Sequence, residues 1–275
     1  MANGSAAAKS GVETVHPWMR GLTRAGFISR GILYSLIGLV TLWSIYRHGA
    51  RAHGGVKTTF NSIQSVGPGE VLLAGLALGF TGFAVGMTWI AAFDLHSHGR
   101  GAGGLFRRFV TFVSGLVHLG LAASCALLFA GHQTETNGTR RWAETALHYP
   151  FGREGLAIAG LYAIGFGIFL LSQVWTGKVD PLLDLGSLKP ATARFANWTG
   201  RLGNFARGVI YGTIGVLLVL AAYRGNASQV VGLGGAMRKL SENAYGEASL
   251  TIIALGLFAH GCFMFVEARF RRMGE

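Results

Sequence analysis

The chain has 275 residues, of which 51% are hydrophobic, 13% are charged and 43 are glycine, and its formal net charge is +12. Soluble domains carry roughly a quarter charged residues, so this composition argues against an ordinary soluble protein. The basic residues do not form a stripe with interleaved aromatic residues, and we therefore expect no nucleic-acid partner.

Six apolar runs follow one another along the chain. They lie at about 27–46, 71–93, 109–130, 156–175, 205–223 and 248–267. Each run has about the 20 residues that a helix needs to cross a hydrocarbon core, and acidic residues occur only at the boundaries of the runs. The sequence therefore predicts an all-α integral membrane protein with six transmembrane helices.

A short amphipathic stretch stands in the loop after each odd-numbered run. The three stretches are Phe60 to Val66, Trp142 to Tyr149 and Met237 to Tyr245. Such stretches are typical of short helices that lie in the membrane interface. Each pair of runs is thus predicted to form a helix, an external amphipathic segment and a second helix.

The basic residues are divided unevenly between the two ends of the runs. When both termini and the loops after the second and fourth runs share one side, that side carries 15 of the 24 basic residues, whereas the acidic residues divide six and six. Positive charge collects on the cytoplasmic side of membrane segments. We therefore expect both termini in the cytoplasm, with the surplus charge facing the lipid bilayer and its anionic headgroups.

One phrase occurs twice at identical spacings, at the first and fifth runs. It reads Arg24, Gly26, Arg30, Gly31, Tyr34 and Gly38 in one copy, and Arg201, Gly203, Arg207, Gly208, Tyr211 and Gly215 in the other. A weaker copy at the third run keeps Arg108 and Gly115 but has Ser114, His118 and Ala122 at the other aligned positions. In the even runs, Gly79 aligns with Gly256 and Gly82 with Gly165. The chain is therefore predicted to contain three copies of a two-helix unit.

Because every unit begins on the same side, the three copies are expected to be parallel repeats about a pseudo-threefold axis along the membrane normal. We place a flexible cytoplasmic N-terminus at 1–19 and the repeats at 20–103, 104–190 and 191–275. The three repeats together are expected to form one membrane domain.

The repeated phrase, within three two-helix units, resembles the bacterial "domain of unknown function 1206" membrane family. The ending Glu267-Ala268-Arg269-Phe270-Arg271-Arg272 resembles that family as well. The resemblance extends from about Arg20 to Arg272 and is weakest at Ser114 and His118. It implies a six-helix protein of the bacterial inner membrane, and it brings no activity with it.

Glycine and arginine residues of the phrase point to helix packing. The small residues Gly26, Gly38, Gly203 and Gly215 would let neighbouring helices approach closely. Arg30 and Arg207 lie about one turn inside the membrane boundary, where a charge must snorkel to the headgroups or find a partner. Asp94 and Glu267, which end the second and sixth runs, are the candidate partners.

Polar residues inside the runs suggest a site at the centre of the bundle. Tyr34, Ser114, His118 and Tyr211 are the candidates for lining a central cavity, or for filling it as a plug. His118 and His260 lie at similar depths and could serve as the two ligands of haem b or another tetrapyrrole, although an intramembrane histidine is more often a packing residue. Asp94, His96 and His98 have a spacing that suits a divalent metal, but no fourth ligand is near in the sequence.

No phosphate-binding loop, nucleophile elbow or zinc-protease motif is present, and we expect no enzymatic activity and no cofactor. The first function we consider is a structural or interaction module that binds other membrane-protein subunits or lipids. The alternatives are passage of an ion or small solute along the pseudo-threefold centre, and electron transfer through a tetrapyrrole on His118 and His260. The sequence does not define an oligomeric state.

Overall fold

A computed structural model of the chain describes residues 17–49, 54–94, 99, 101–132, 138–177, 179, 183, 186, 188–242 and 245–271. Within these ranges the chain forms helices and no strands. Six helices are long and apolar enough to cross a membrane, which confirms the predicted class of fold. They are α1 (Pro17–His48), α3 (Gly69–Phe93), α4 (Ala102–Phe129), α6 (Gly152–Thr176), α7 (Pro190–Arg224) and α9 (Gly246–Phe270).

The ends of these helices follow local rules. Proline stands at the first position of α1 and of α7, where its missing N–H leaves no helical hydrogen bond unmade. Residues 17–19, expected to be flexible, therefore belong to the first turn of α1, and the rest of that expected segment lies outside the described residues. Gly177 and Gly225 end α6 and α7 with φ angles of 69° and 62°, a conformation that glycine adopts without strain.

One short helix lies between the two long helices of each repeat. These short helices are α2 (Val56–Gln64), α5 (Gly138–His148) and α8 (Leu233–Ser241). We call the side of the bundle on which they lie the capped side, and the side where α1 begins and α9 ends the terminal side. Phe60 of α2 and Met237 of α8 are fully buried. Ala143 of α5 is fully buried as well, so all three short helices contribute apolar side chains to the capped side.

The closest packing joins different repeats. The first long helix of each repeat lies along the second long helix of the preceding one, so that α1 packs on α9, α4 on α3 and α7 on α6. An aligned glycine lies at each crossing. A Cβ atom would lie 3.1 Å from the carbonyl oxygen of Gly261 if added to Gly31, 3.2 Å from that of Ala84 if added to Gly115, and 3.0 Å from that of Gly167 if added to Gly208. The three crossings are therefore equivalent, as a pseudo-threefold arrangement requires.

The two long helices within a repeat also meet through glycine, but only in the first and third repeats. Gly26 of α1 lies against Phe83 of α3, and at the aligned crossing Gly203 of α7 lies against His260 of α9. In the same way Gly79 of α3 lies against Ser29 of α1. The described parts of α4 and α6 form no comparable interface, and their ring contact is between Phe106 and Tyr162, with centroids 6.3 Å apart.

Side-chain volume explains why the second repeat is different. Counting from the aligned glycines, Val110 stands where the other repeats have Gly26 and Gly203, and Tyr162 stands where they have Gly79 and Gly256. The neighbouring positions are enlarged too, with Phe109 and Val113 in place of Ala25 and Ser29 of the first repeat. Because close helix approach in membranes requires small residues, α4 and α6 cannot close as the other pairs do.

The six long helices thus form a pseudo-threefold ring with one lateral opening, between α4 and α6. The three two-helix repeats expected from the sequence are present. The second repeat, which departs from the repeated phrase at Ser114 and His118, is the one whose two long helices lie apart. The opening faces the membrane because it lies between two spanning helices. We refer to it below as the α4–α6 opening.

We expect Gly215→Ala to destabilise the protein by about 1–3 kcal/mol, because the new Cβ would lie 2.6 Å from the carbonyl oxygen of Gly160. The matched control is Gly212→Ala on the same helix, where no atom lies within 4 Å of the added Cβ. The control should be neutral or slightly stabilising, since alanine favours helix over glycine. Thermal unfolding in detergent measures both, and equal behaviour of the two variants would contradict the packing described.

Candidate binding site in the bundle centre

Three equivalent ring pairs stand where the repeats meet. Each pair joins a residue of the repeated phrase to a ring on the second helix of the preceding repeat. The pairs are Tyr34 with His260, His118 with Phe83, and Tyr211 with Phe166, and their centroids are 4.8, 4.5 and 5.1 Å apart. The pseudo-symmetry therefore extends to side chains, and His260 occupies the position that phenylalanine has in the other two repeats.

Arg30 and Arg207, the aligned arginines of the phrase, extend over these rings. The guanidinium carbon of Arg30 lies 5.2 Å from the ring centroid of Phe83, and that of Arg207 lies 6.0 Å from Phe166. Such contacts with the face of an aromatic ring are favourable for a cation. The Nε atoms of both arginines are nevertheless buried without a hydrogen-bond partner.

The two guanidinium groups share one electrostatic environment. Each lies within range of the hydroxyls of both Tyr34 and Tyr211, and Arg30 also experiences the charge of Arg207. The guanidinium carbon of Arg207 lies 5.8 Å from the ring centroid of Tyr211. Although α1 and α7 belong to different repeats, their polar side chains therefore converge across the centre of the ring.

The two acidic residues expected to pair with these arginines accept hydrogen bonds from other groups. The carboxylate of Glu267, 2% exposed, lies within electrostatic range of both arginines but accepts a hydrogen bond of 2.8 Å from Arg271, one turn further along the chain. Asp94 ends α3, and its carboxylate accepts a 2.8 Å hydrogen bond from the backbone of Gly99. The described structure therefore gives Arg30 and Arg207 an acidic neighbour that is already hydrogen bonded to another arginine.

The second repeat contributes histidine to the centre instead of arginine and tyrosine. Nδ1 of His118 donates a 2.7 Å hydrogen bond to the carbonyl oxygen of Ser114, the residue aligned with Arg30 and Arg207. Its Nε2 atom is then left as an acceptor. Arg108, six residues before Ser114 on α4, donates hydrogen bonds of 2.8 Å each to the carbonyl oxygens of Ala91 and Ala92. These bonds connect α4 to the end of α3.

His260 is enclosed on all sides by the protein. It is 1% exposed, the ring of Tyr34 lies against it, and neither ring nitrogen has a hydrogen-bond partner. A Cβ on Gly203 would lie 2.6 Å from the Cβ of His260. A tetrapyrrole plane could not reach this imidazole without displacing Tyr34, so the packing counts against the suggested pair of haem ligands.

The suggested metal site falls largely outside the described residues. Asp94 is described, whereas His96 and His98 are not. Within the described ranges no group of three histidine, cysteine, aspartate or glutamate residues could hold a metal ion. The cluster therefore remains a prediction from its spacing.

The central residues are partly enclosed by the surrounding helices. Arg30, Tyr34, Ser114, His118, Arg207 and Tyr211 are each half-buried. Towards the capped side the core is closed by fully buried residues such as Ile37 and Leu257. At the α4–α6 opening, by contrast, Phe109 is 62% and Tyr162 44% exposed.

Sequence reasoning missed the residues that make the opening. It selected the polar members of the second repeat, Ser114 and His118, and overlooked the apolar ones at the helix crossing. Aligning Val110 with Gly26 and Gly203 would have indicated a wider crossing, because that position is small in the other two repeats.

The fold and its central cluster define a six-span membrane protein built from three two-helix repeats. The family model described as Domain of Unknown Function (DUF1206) matches the chain three times, at residues 25–94, 109–177 and 202–271. The chain belongs to this family. It is also 26% identical over 263 residues to "Uncharacterized protein YxxB" of Bacillus subtilis (strain 168), a match that covers 94% of this chain and 93% of that protein. No solved structure matches the chain.

We expect His260→Phe to stabilise the protein by about 1–3 kcal/mol, the usual penalty for a buried polar group without a partner. Phenylalanine already occupies the two equivalent positions, Phe83 and Phe166, so the ring should fit. His118→Phe is the matched control and should not stabilise, because it breaks the bond to Ser114. A lower unfolding temperature for His260→Phe than for the native protein would show that this imidazole has a partner in solution.

We expect protein purified from its native membrane in mild detergent to show no Soret absorption band. The enclosure of His260 by Tyr34 and Gly203 is the reason. A Soret band that is present in the native protein and lost in His118→Ala would contradict this expectation.

Proposed function

We propose that the protein is a lipid-binding module of the bacterial inner membrane, with both termini in the cytoplasm, and that it acts by binding and not by catalysis. One observation carries the proposal: the α4–α6 opening interrupts a ring that is closed by glycine-mediated packing at its other crossings. A lipid enters this opening sideways from the bilayer, with its acyl chains between α4 and α6.

The walls of the opening suit an acyl chain. Phe109 and Val113 on α4 and Tyr162 on α6 are large and exposed, and they occupy positions that are sealed by glycine, alanine or serine in the first repeat. Exposed apolar side chains in a membrane are ordinarily covered by lipid. Here the covering lipid would also stand at the edge of a polar centre that contains Arg30 and Arg207.

Other routes to the centre are obstructed. On the terminal side, Val179 and Leu183 from the segment between α6 and α7 are buried against Phe263 and its neighbours. On the capped side, the buried core includes Leu73, Leu76 and Ile210. This packing favours entry from the bilayer, and it weighs against passage of an ion or solute along the pseudo-threefold centre.

A photoactivatable phospholipid with a diazirine in its acyl chain tests the proposal in reconstituted membranes. We expect strong labelling at Phe109, Val113 and Tyr162. The variant Phe109→Ala, Val110→Gly, Val113→Ser and Tyr162→Gly introduces the residues of the first repeat into the second. It should close the hairpin and reduce labelling of α4 and α6 at the crossing about tenfold, since about 1.4 kcal/mol of binding free energy corresponds to tenfold.

The matched control is Leu161→Ala with Ile168→Ala, which removes exposed apolar volume from another face of α6. Labelling at the crossing should be unchanged in that control. Equal labelling of the crossing in the native and closed variants would contradict the proposal. So would a covalent adduct with another protein, in place of lipid, when a photoreactive residue replaces Tyr162 in native membranes.

A further inference from the structure

We propose that Arg30 and Arg207 form a binding site for a phosphate group at the centre of the ring, reached through the α4–α6 opening. For a phosphate carried by a lipid, this inference rests on the lipid-binding function proposed above. It adds the chemical class of the ligand, which the opening alone does not specify.

Among the described residues, the charges around the two arginines do not balance. Arg30 and Arg207 experience each other's charge, and the acid within range of both is Glu267. That carboxylate is hydrogen bonded to Arg271. Three guanidinium groups and one carboxylate leave a net charge of +2 among these four groups, and the Nε atoms of Arg30 and Arg207 are buried. A buried charge of this kind is strongly unfavourable unless an anion accompanies it.

The hydrogen-bond donors of the cluster are also incompletely used. The Nε atoms of Arg30 and Arg207 are buried without partners. The ring nitrogens of His260 beside them also lack partners, and a neutral imidazole offers one of the two as a donor. Buried polar atoms in folded proteins are nearly always hydrogen bonded. Two arginines that converge at one place in the fold and have unpartnered donors form an arrangement that suits an oxyanion.

Snorkelling does not account for this arrangement. An arginine that extends its charge to the headgroups is expected to carry its Nε towards water, whereas Arg30 lies over Phe83 and Arg207 over Phe166 with both Nε atoms buried. Arg24 and Arg201 of the same phrase illustrate the other behaviour. Arg24 is exposed, and Arg201 lies over the exposed ring of Trp198.

The geometry of the donors favours phosphate over a single-point anion. Guanidinium groups present planar pairs of N–H donors that bind the oxygens of a phosphate or carboxylate in a bidentate manner. Here two such groups come from different repeats, and the hydroxyls of Tyr34 and Tyr211 lie within electrostatic range of both. A phosphate group offers enough oxygen lone pairs for both guanidinium groups and both hydroxyls.

The position aligned with these arginines in the second repeat supports the same reading. Ser114 replaces a third arginine, on the helix that borders the opening. A third guanidinium there would stand in the path between the bilayer and the two others. With serine at this position, the path leads to two arginines, and Arg207 lies over Phe166 of α6, the other helix that borders the opening.

A lipid series tests the site on the native protein in detergent, with binding followed by native mass spectrometry. Phosphatidylglycerol is anionic, phosphatidylcholine carries phosphate with a compensating charge, and diacylglycerol carries no phosphate. We expect phosphatidylglycerol to bind at least about tenfold more tightly than diacylglycerol, because hydrogen bonds to charged groups contribute more than neutral ones. Phosphatidylcholine should fall between them.

Two single substitutions and their matched controls locate the effect. Arg30→Gln and Arg207→Gln should each remove the preference for phosphatidylglycerol, whereas Arg24→Gln and Arg201→Gln, on the same two helices, should keep it. Arg30→Lys retains the charge but loses the planar pair of donors, so it should weaken the preference without removing it. If the glutamine variants do not fold, the lipid series on the native protein and on Arg30→Lys still decides the question.

A second arm of the experiment distinguishes a lipid phosphate from free phosphate. Inorganic phosphate is added to lipid-depleted protein at constant ionic strength, with chloride as the control anion, and thermal unfolding is measured. A rise in unfolding temperature that is lost in Arg30→Gln and kept in Arg24→Gln, without a headgroup preference, assigns the site to free phosphate. A headgroup preference without that rise assigns it to a lipid.

Two results would overturn the inference. The first is equal binding of phosphatidylglycerol and diacylglycerol together with no stabilisation by inorganic phosphate. In that case lipid labelling at the α4–α6 opening could still stand, so the two proposals fail separately. The second is a large fall in the unfolding temperature of lipid-depleted Arg30→Gln but not of Arg24→Gln. That result would mean that a group of the protein itself, and not a bound anion, balances the charge of Arg30.

Discussion

Backbone contact between helices of different repeats is the constraint on which the structure depends. In a bilayer, apolar surface gains nothing by leaving lipid for protein, so helices associate through close packing and polar contacts. Gly31, Gly115 and Gly208 provide that packing at three equivalent crossings, where an added Cβ would come within about 3 Å of a carbonyl oxygen of the facing helix. Each repeat is therefore held mainly by its neighbours.

This dependence explains how one repeat can open while the ring persists. The described interfaces of α4 with α3 and of α6 with α7 are both extensive, so neither helix needs the other. Val110 and Tyr162 can then be large, because contact between α4 and α6 is not required to hold the bundle together. Ser114 and His118, which replace the arginine and tyrosine of the repeated phrase, lie on the same helix as Val110. The repeat without close internal packing is therefore also the one with different polar residues at the centre of the bundle.

The fold could be predicted from the sequence because its signals are local. Run length gives six spanning helices, and the aligned glycines give three repeats. The aligned Tyr34 and Tyr211 could be matched with His118 by spacing alone. The acidic partners of Arg30 and Arg207 could not be predicted in this way. Glu267 is hydrogen bonded to Arg271, a residue four positions away whose side-chain direction depends on packing. Phe83 and Phe166 were missed since an apolar ring in an apolar run carries no signal of its own.

The order of the helices around the ring has a consequence for how the chain is made. The principal partner of α1 is α9, which is synthesised after the other five spanning helices, so Gly31 meets Gly261 only then. At synthesis rates of about 5–20 residues per second, roughly 12 to 46 s separate the synthesis of Gly31 from that of Gly261. During that interval α1 must reside in the bilayer with its inward face covered by lipid or by an insertion factor. The contact between α1 and α9 thus forms after the other five spanning helices have been made, and a ribosome that stalls before α9 leaves α1 without its principal helix partner.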